Sequence, residues 1–166
     1  MVAVQKTLKK GFYSKYNMAR VIGFNLKKIS IERKEEIKGK IRIESRLDIT
    51  GIKEEKTPLN KGNTVLKFDF DFFINYEPDL ANLKFGGFVL LLEESKAAKK
   101  LLKEWKKEKK IEADIKERVF NTVLVKCSIK ALALEEELSL PPHLPFPRVK
   151  RKKRDSSFLF RLNKKL

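Results

Sequence analysis

The strongest constraint on this chain is a change of hydrophobic period at Glu94. Before it, apolar residues recur at every second position; after it, at every third or fourth. The sharpest run is "TVLKFDFDFFINY", Thr64 to Tyr76. Leu66, Phe68, Phe70, Phe72, Ile74 and Tyr76 share one face, and Lys67, Asp69, Asp71 and Asn75 share the other. Period two with charge on one side describes strands with one buried and one wet face, as in antiparallel sheet. Strands first and helices afterwards predict an α+β fold: a four-stranded antiparallel sheet, then a short and a long helix collected on one of its faces.

The other strands are legible in the same way. Ile37, Ile41, Ile43, Leu47 and Ile49 oppose Lys38, Lys40, Arg42, Glu44, Arg46 and Asp48. Upstream, Ile22, Phe24 and Leu26 are expected on one face, and the apolar set then jumps to Ile29 and Ile31. One extra residue flips a strand's face, so a bulge is expected across Lys27-Lys28. "KTPLNKGN", Lys56 to Asn63, and "EPDLAN", Glu77 to Asn82, read as turns. The fourth strand is "LKFGGFVLLL", residues 83–92, where the Gly86-Gly87 pair suggests a bulge or bend. Residues 1–19 carry no assignable pattern.

The first helix is expected over "SKAAKKLLKEWKKEKK", with Ser95 as its N-cap. Ala97, Ala98, Leu101, Leu102 and Trp105 form a narrow stripe among Lys and Glu. The second helix is expected over 112–138. Ile115, Val119, Val123, Cys127 and Ala131 step by four, while Val125, Ile129 and Leu132 add apolar residues elsewhere. Apolar surface on more than one side exceeds what packing on one sheet needs. Val125, Ile129 and Leu132 are therefore the expected oligomer interface. Pro141 and Pro142 stop the helix.

Composition narrows the function classes. The chain has 166 residues and 42% hydrophobic content, enough for one domain with a core. The expected division is a domain over 1–149 and a basic tail over 150–166. Charged residues make up 37%, a Lys- and Glu-rich balance of the kind found in heat-adapted proteins. The single cysteine, Cys127, forbids an intrachain disulfide and fits a reducing compartment. The longest apolar run, "FVLLL", is far too short to span a bilayer. A cytoplasmic location is expected.

Catalytic chemistry finds little support. One histidine, His143, cannot supply a multi-His metal site, and a helical Cys127 reads more readily as a small buried hydrophobe than as a nucleophile paired with His143. "FGGF" lacks the Lys-Ser/Thr that completes a phosphate loop. Asp69 and Asp71 share a strand face and read as solvated rather than as a carboxylate pair. A non-enzyme without cofactor is expected.

Two features carry functional alternatives. Twelve phenylalanines occur, five of them between Phe68 and Phe85. They read as sheet core or as an apolar groove for extended polypeptide, with Phe70, Phe72, Phe73, Phe85 and Phe88 as candidate lining. The net charge is +17, and residues 148–166 hold nine Lys or Arg and one acid, leaving +9 for the remaining 147. Arg148, Lys150, Arg151, Lys152, Lys153 and Arg154 read either as a nucleic-acid or other anion-binding patch or as a solubilising extension.

Three local patterns resemble the SecB family of export chaperones. The fourth strand "FGGFVLL" is similar to the family's Gly-Gly followed by an apolar run. The helix "FNTVLVKCSIKALALEEEL" resembles its Asn-apolar start with a Cys one or two turns inside. The close "LSLPPHLPFPRV" resembles its apolar-proline strand. The resemblance covers about residues 20 to 149 and extends to relatives that serve toxin–antitoxin systems. It implies an ATP-independent holdase that binds unfolded or partner polypeptide in apolar grooves and assembles as a dimer of dimers. The export chaperone is acidic, whereas this chain is basic, a difference that bears on coupling to the translocation motor. The alternative function is a basic nucleic-acid-binding or ribonucleoprotein-associated protein.

Overall fold

The computed structural model describes residues 19–34, 39–56, 62–147 and 149. Four strands, β1 (Arg20–Arg33), β2 (Arg42–Glu55), β3 (Asn63–Glu77) and β4 (Ala81–Glu94), precede two helices, α1 (Ser95–Glu108) and α2 (Ala113–Glu137). All pairings are antiparallel and the spatial order is β1-β4-β3-β2. This is the α+β layout that the change of period predicts. β2 and β1 are the two edges.

The alternation of β3 fixes the layers. Leu66, Phe68, Phe70, Phe72, Ile74 and Tyr76 are buried, and on β4 so are Leu83, Phe85, Val89 and Leu91. Both helices cover this inner face: α1 packs on β2, β3 and β4, and α2 on β1, β3 and β4. Ala98 and Leu101 descend from α1; Ile115, Val119, Val123, Cys127 and Ala131 descend from α2, one every fourth residue along a single stripe. No helix among the described residues is long and apolar enough to cross a membrane.

The bulges show how the edges are built. β1 slips against β4 between Leu26 and Lys28, as the jump in its pattern predicts, and also between Val21 and Gly23. The second slip corrects the expected facing: Val21, not Ile22, packs with Phe24 and Leu26 against the core, and Ile22 is exposed. β2 carries a further slip between Ile49 and Gly51, after which Ile52 returns to the core side. β4 pairs with β3 without interruption, and the irregularity at the glycine pair lies on the other side, where β1 slips between Leu26, opposite Gly87, and Lys28, opposite Gly86. A Cβ on Gly87 would meet Asn25 O at 2.3 Å, Phe70 Cζ at 3.0 Å and Leu26 Cα at 3.1 Å. The glycine is required by the close approach of β1, whose Asn25 and Leu26 backbone leaves no room for a side chain.

Ser95 is the first helical residue and Glu94 the N-cap, which corrects the expected cap. The Ser95 hydroxyl instead sits 2.9 Å from that of Thr64. Lys109 closes α1 in the left-handed conformation, its N–H donating to Trp105 O at 3.0 Å.

Candidate functional site

The five candidate groove phenylalanines do not share a surface. Phe70, Phe72 and Phe85 are at most 1% exposed, in the core beneath the helices. That corrects the groove reading for these three: Phe70 and Phe72 of β3 and Phe85 of β4 point inward, where the helices cover the two central strands. Phe73 and Phe88 lie on the outer face under cations. Arg46 and Lys84 stand 5.0 and 4.9 Å from the Phe73 ring centroid, and Lys27 and Lys67 stand 5.0 and 4.1 Å from that of Phe88. Asp69 and Asp71 are absorbed in the same layer, paired to Lys27 at 3.1 Å and Lys84 at 3.0 Å.

The expected interface residues lie on one stripe of α2. Val125 is 58% exposed and Ile129 63%, while Leu132 is half-buried. Arg148, Lys150, Arg151, Lys152, Lys153 and Arg154 lie outside the described residues, as does Ile37.

Two features were not read from the sequence. The first is what anchors the proline segment. Glu135 continues the four-residue series of core positions on α2 and is 1% exposed. Its carboxylate lies 2.8 Å from Nδ1 of His143, whose side chain is also buried, and accepts the His143 backbone N–H at 3.2 Å. The Tyr76 hydroxyl donates to Pro141 O at 2.8 Å, and the Arg33 guanidinium to Leu138 O. Burial first, then the hydrogen bond and negative charge of Glu135, holds the Tyr76 phenol well above its ordinary pKa. A buried carboxylate is costly unless bonded, so this cluster fastens the segment to the helix and the sheet. The signal was present: a glutamate four residues past Ala131, eight before the only histidine. Cys127 is a buried thiol, as its helical position predicts, and burial pushes its pKa up to about 12; His143 pairs with Glu135 instead.

The second feature is a cleft of about 600 Å³ where the α1–α2 connection passes over edge strand β2. Its apolar floor is Leu47 and Ile49 from β2, Trp105 from α1, Ile111 from the connection and Phe120 from α2, all half-buried. The strand places Leu47 and Ile49 inward by alternation, opposite Phe72 and Phe70 of β3. Trp105 and Phe120 reach the same place from helices that diverge around Lys109. Lys109, Lys110 and Lys116 border the cleft; Lys109 Nζ lies 5.0 Å from the Trp105 ring centroid and Lys116 Nζ 5.2 Å from that of Phe120. The arrangement can seat an extended chain: an apolar floor takes side chains, and the outer edge of β2 carries backbone groups that no described strand pairs.

Two other depressions differ in character. One of about 380 Å³ lies between the end of α2 and the proline segment, lined by Leu132, Ala133, Leu140, Pro142 and Phe146 among others. The other, of about 700 Å³, is a polar trough between Arg20 and the first turns of α2, where Asp114, Glu117, Arg118 and Asn121 mix both signs of charge. Among the described residues, no group of three or more His, Cys, Asp or Glu is placed to hold a metal ion.

No family model matches the sequence, and no curated protein matches it. Among solved structures, the chain is similar to a SecB-like chaperone of Mycobacterium tuberculosis, solved in complex with a peptide from an antitoxin. The two are 12% identical with a TM-score of 0.45, over 80% of this chain and 90% of that one, a likeness of fold alone.

Proposed function

We propose that the protein binds extended polypeptide, from unfolded chains or a partner protein, as a holdase that needs no nucleotide. The observation that carries this reading is the cleft over β2. Five half-buried apolar side chains from four segments converge beside a sheet edge, and no described residue fills the space between them. A cleft that combines partly buried apolar side chains with a charged rim, beside a free sheet edge, is a candidate seat for an extended chain. The candidate lining thus moves from the buried Phe70, Phe72 and Phe85 to Trp105 and Phe120. Val125, Ile129 and Leu132 supply the surface through which the chain forms a dimer or tetramer.

The test is light scattering of a chemically unfolded substrate during dilution, without ATP. Suppression is expected at a small molar excess, and Trp105→Ala is expected to remove most of it while far-UV circular dichroism stays unchanged. Absence of suppression at several-fold excess would sink the reading. Assembly is checked separately by sedimentation. Ile129→Glu is expected to shift the protein to monomer, because burying an unpaired charge at an interface costs several kcal/mol.

A further inference from the structure

The rim of the cleft over β2 has a polarity that its floor does not dictate. Lys109, Lys110 and Lys116 border the apolar side chains, and two carboxylates, Asp48 and Glu108, border them as well. The carboxylates are neutralised by neighbours: Asp48 pairs with Arg46 Nε at 2.9 Å and Glu108 with Lys107 Nζ at 3.3 Å. Among the described residues, none of the three lysines is in an ion pair. Two of them instead stand over the floor's own rings, Trp105 and Phe120. An ammonium over an aromatic face keeps its full charge and can still bond an incoming carboxylate.

We propose that this cleft takes acidic polypeptide: a segment whose aromatic or aliphatic residues fill the floor while flanking Asp or Glu meet Lys109, Lys110 and Lys116. The inference rests on the polypeptide-binding reading and adds the class of partner to it. Charge complementarity carries the choice: three lysines, in no ion pair among the described residues, border the five partly buried apolar side chains in a chain of net charge +17. A nucleic-acid strand fits less well. Three of the five floor residues, Leu47, Ile49 and Ile111, are aliphatic and give bases no ring to stack on. Acidic peptide can pair with the lysines at spacings set by its own side chains and bury aliphatic groups at the same time.

Three labelled peptides of equal length test this. They share an alternating Leu-Phe centre and differ only in flanks of Glu, Gln or Lys. Binding is read by fluorescence anisotropy, with the emission of Trp105, the only tryptophan, as the local reporter. The Glu peptide is expected to bind roughly tenfold tighter than the Gln peptide, since exposed pairs each contribute between almost nothing and a few-fold. The Lys peptide is expected to bind weakest, and the gap to narrow as salt is raised. The triple substitution Lys109→Gln, Lys110→Gln, Lys116→Gln is expected to bring the Glu-to-Gln ratio to about one. Equal binding of all three peptides overturns the acidic preference and leaves polypeptide binding standing. So does a preference that survives the triple substitution, which would place the acid-reading cations elsewhere. An oligothymidylate that displaces the Glu peptide from the cleft at lower concentration overturns the choice of partner. Failure of every peptide to bind overturns the polypeptide reading as well.

Discussion

The two faces of the sheet use the same residue type in opposite ways. Phe72 and Phe73 are neighbours on β3. Phe72 is 1% exposed, with its ring centroid 6.1 Å from that of Phe85 and the helices above it. Phe73 faces away and is held between Arg46 and Lys84. Phe70 stacks on Phe24 at 5.7 Å inside; Phe88 lies between Lys27 and Lys67 outside. Inner rings contribute by leaving water and filling space. Outer rings contribute by giving the aliphatic stems and charged heads of lysines a surface to lie on. The count of phenylalanines therefore says little about a groove, and the face each occupies says most.

The comparison can be broken by substitution. Phe72→Ala is expected to cost about 3–5 kcal/mol in denaturant unfolding, from lost transfer energy and the cavity left under α1 and α2. Phe73→Ala is expected to cost about 1 kcal/mol, the scale of an exposed cation–π contact with some lost packing. Equal costs at the two positions would show that the outer face is covered in solution.

The inner face is not uniformly apolar, because at the far end of β3 it carries Tyr76, Glu135 and His143. Glu135→Ala is expected to cost about 3 kcal/mol, since it strips a buried imidazole and a backbone N–H of their acceptor. Protease sensitivity between Leu138 and Pro147 is expected to rise with it. A neutral substitution would mean that Leu140 and the hydrogen bonds from Tyr76 and Arg33 hold the segment without Glu135.

Cys127 gives a milder test of the same dry layer. Burial raises its pKa from about 9 to about 12, so the native thiol stays protonated where the unfolded thiol ionises. Above pH about 9 the unfolded state binds fewer protons, and this contribution to stability falls until about pH 12. The stability gap between the wild type and Cys127→Ala is expected to shrink over that interval. Native-state alkylation of Cys127 is expected to be slow at neutral pH and fast in denaturant. A gap that does not change with pH would place Cys127 in contact with water. The smallest expected effect is on the outermost layer. Lys67→Gln, which removes one cation from Phe88 and the 3.8 Å pair with Glu55, is expected to change stability by less than about 1 kcal/mol.

The sequence by itself determined the strands, the helices and most facings. Alternation on β3 named its six inward residues, the slip near Lys27 was visible as a parity jump, and the four-residue step on α2 named its buried stripe. These are local periodicities, set by side-chain direction along a regular backbone. Tertiary structure alone decided which apolar residues remain open and which polar ones are sealed. Phe70 and Phe72 are core because helices cover them, while Trp105 and Phe120 line a cleft because α1 and α2 part over Leu47 and Ile49. Glu135 is buried because a segment eight residues further on folds back with His143, and Tyr76 receives Pro141 from 65 positions away. Periodicity specifies the direction of a side chain, but its burial depends on what long-range packing brings above it.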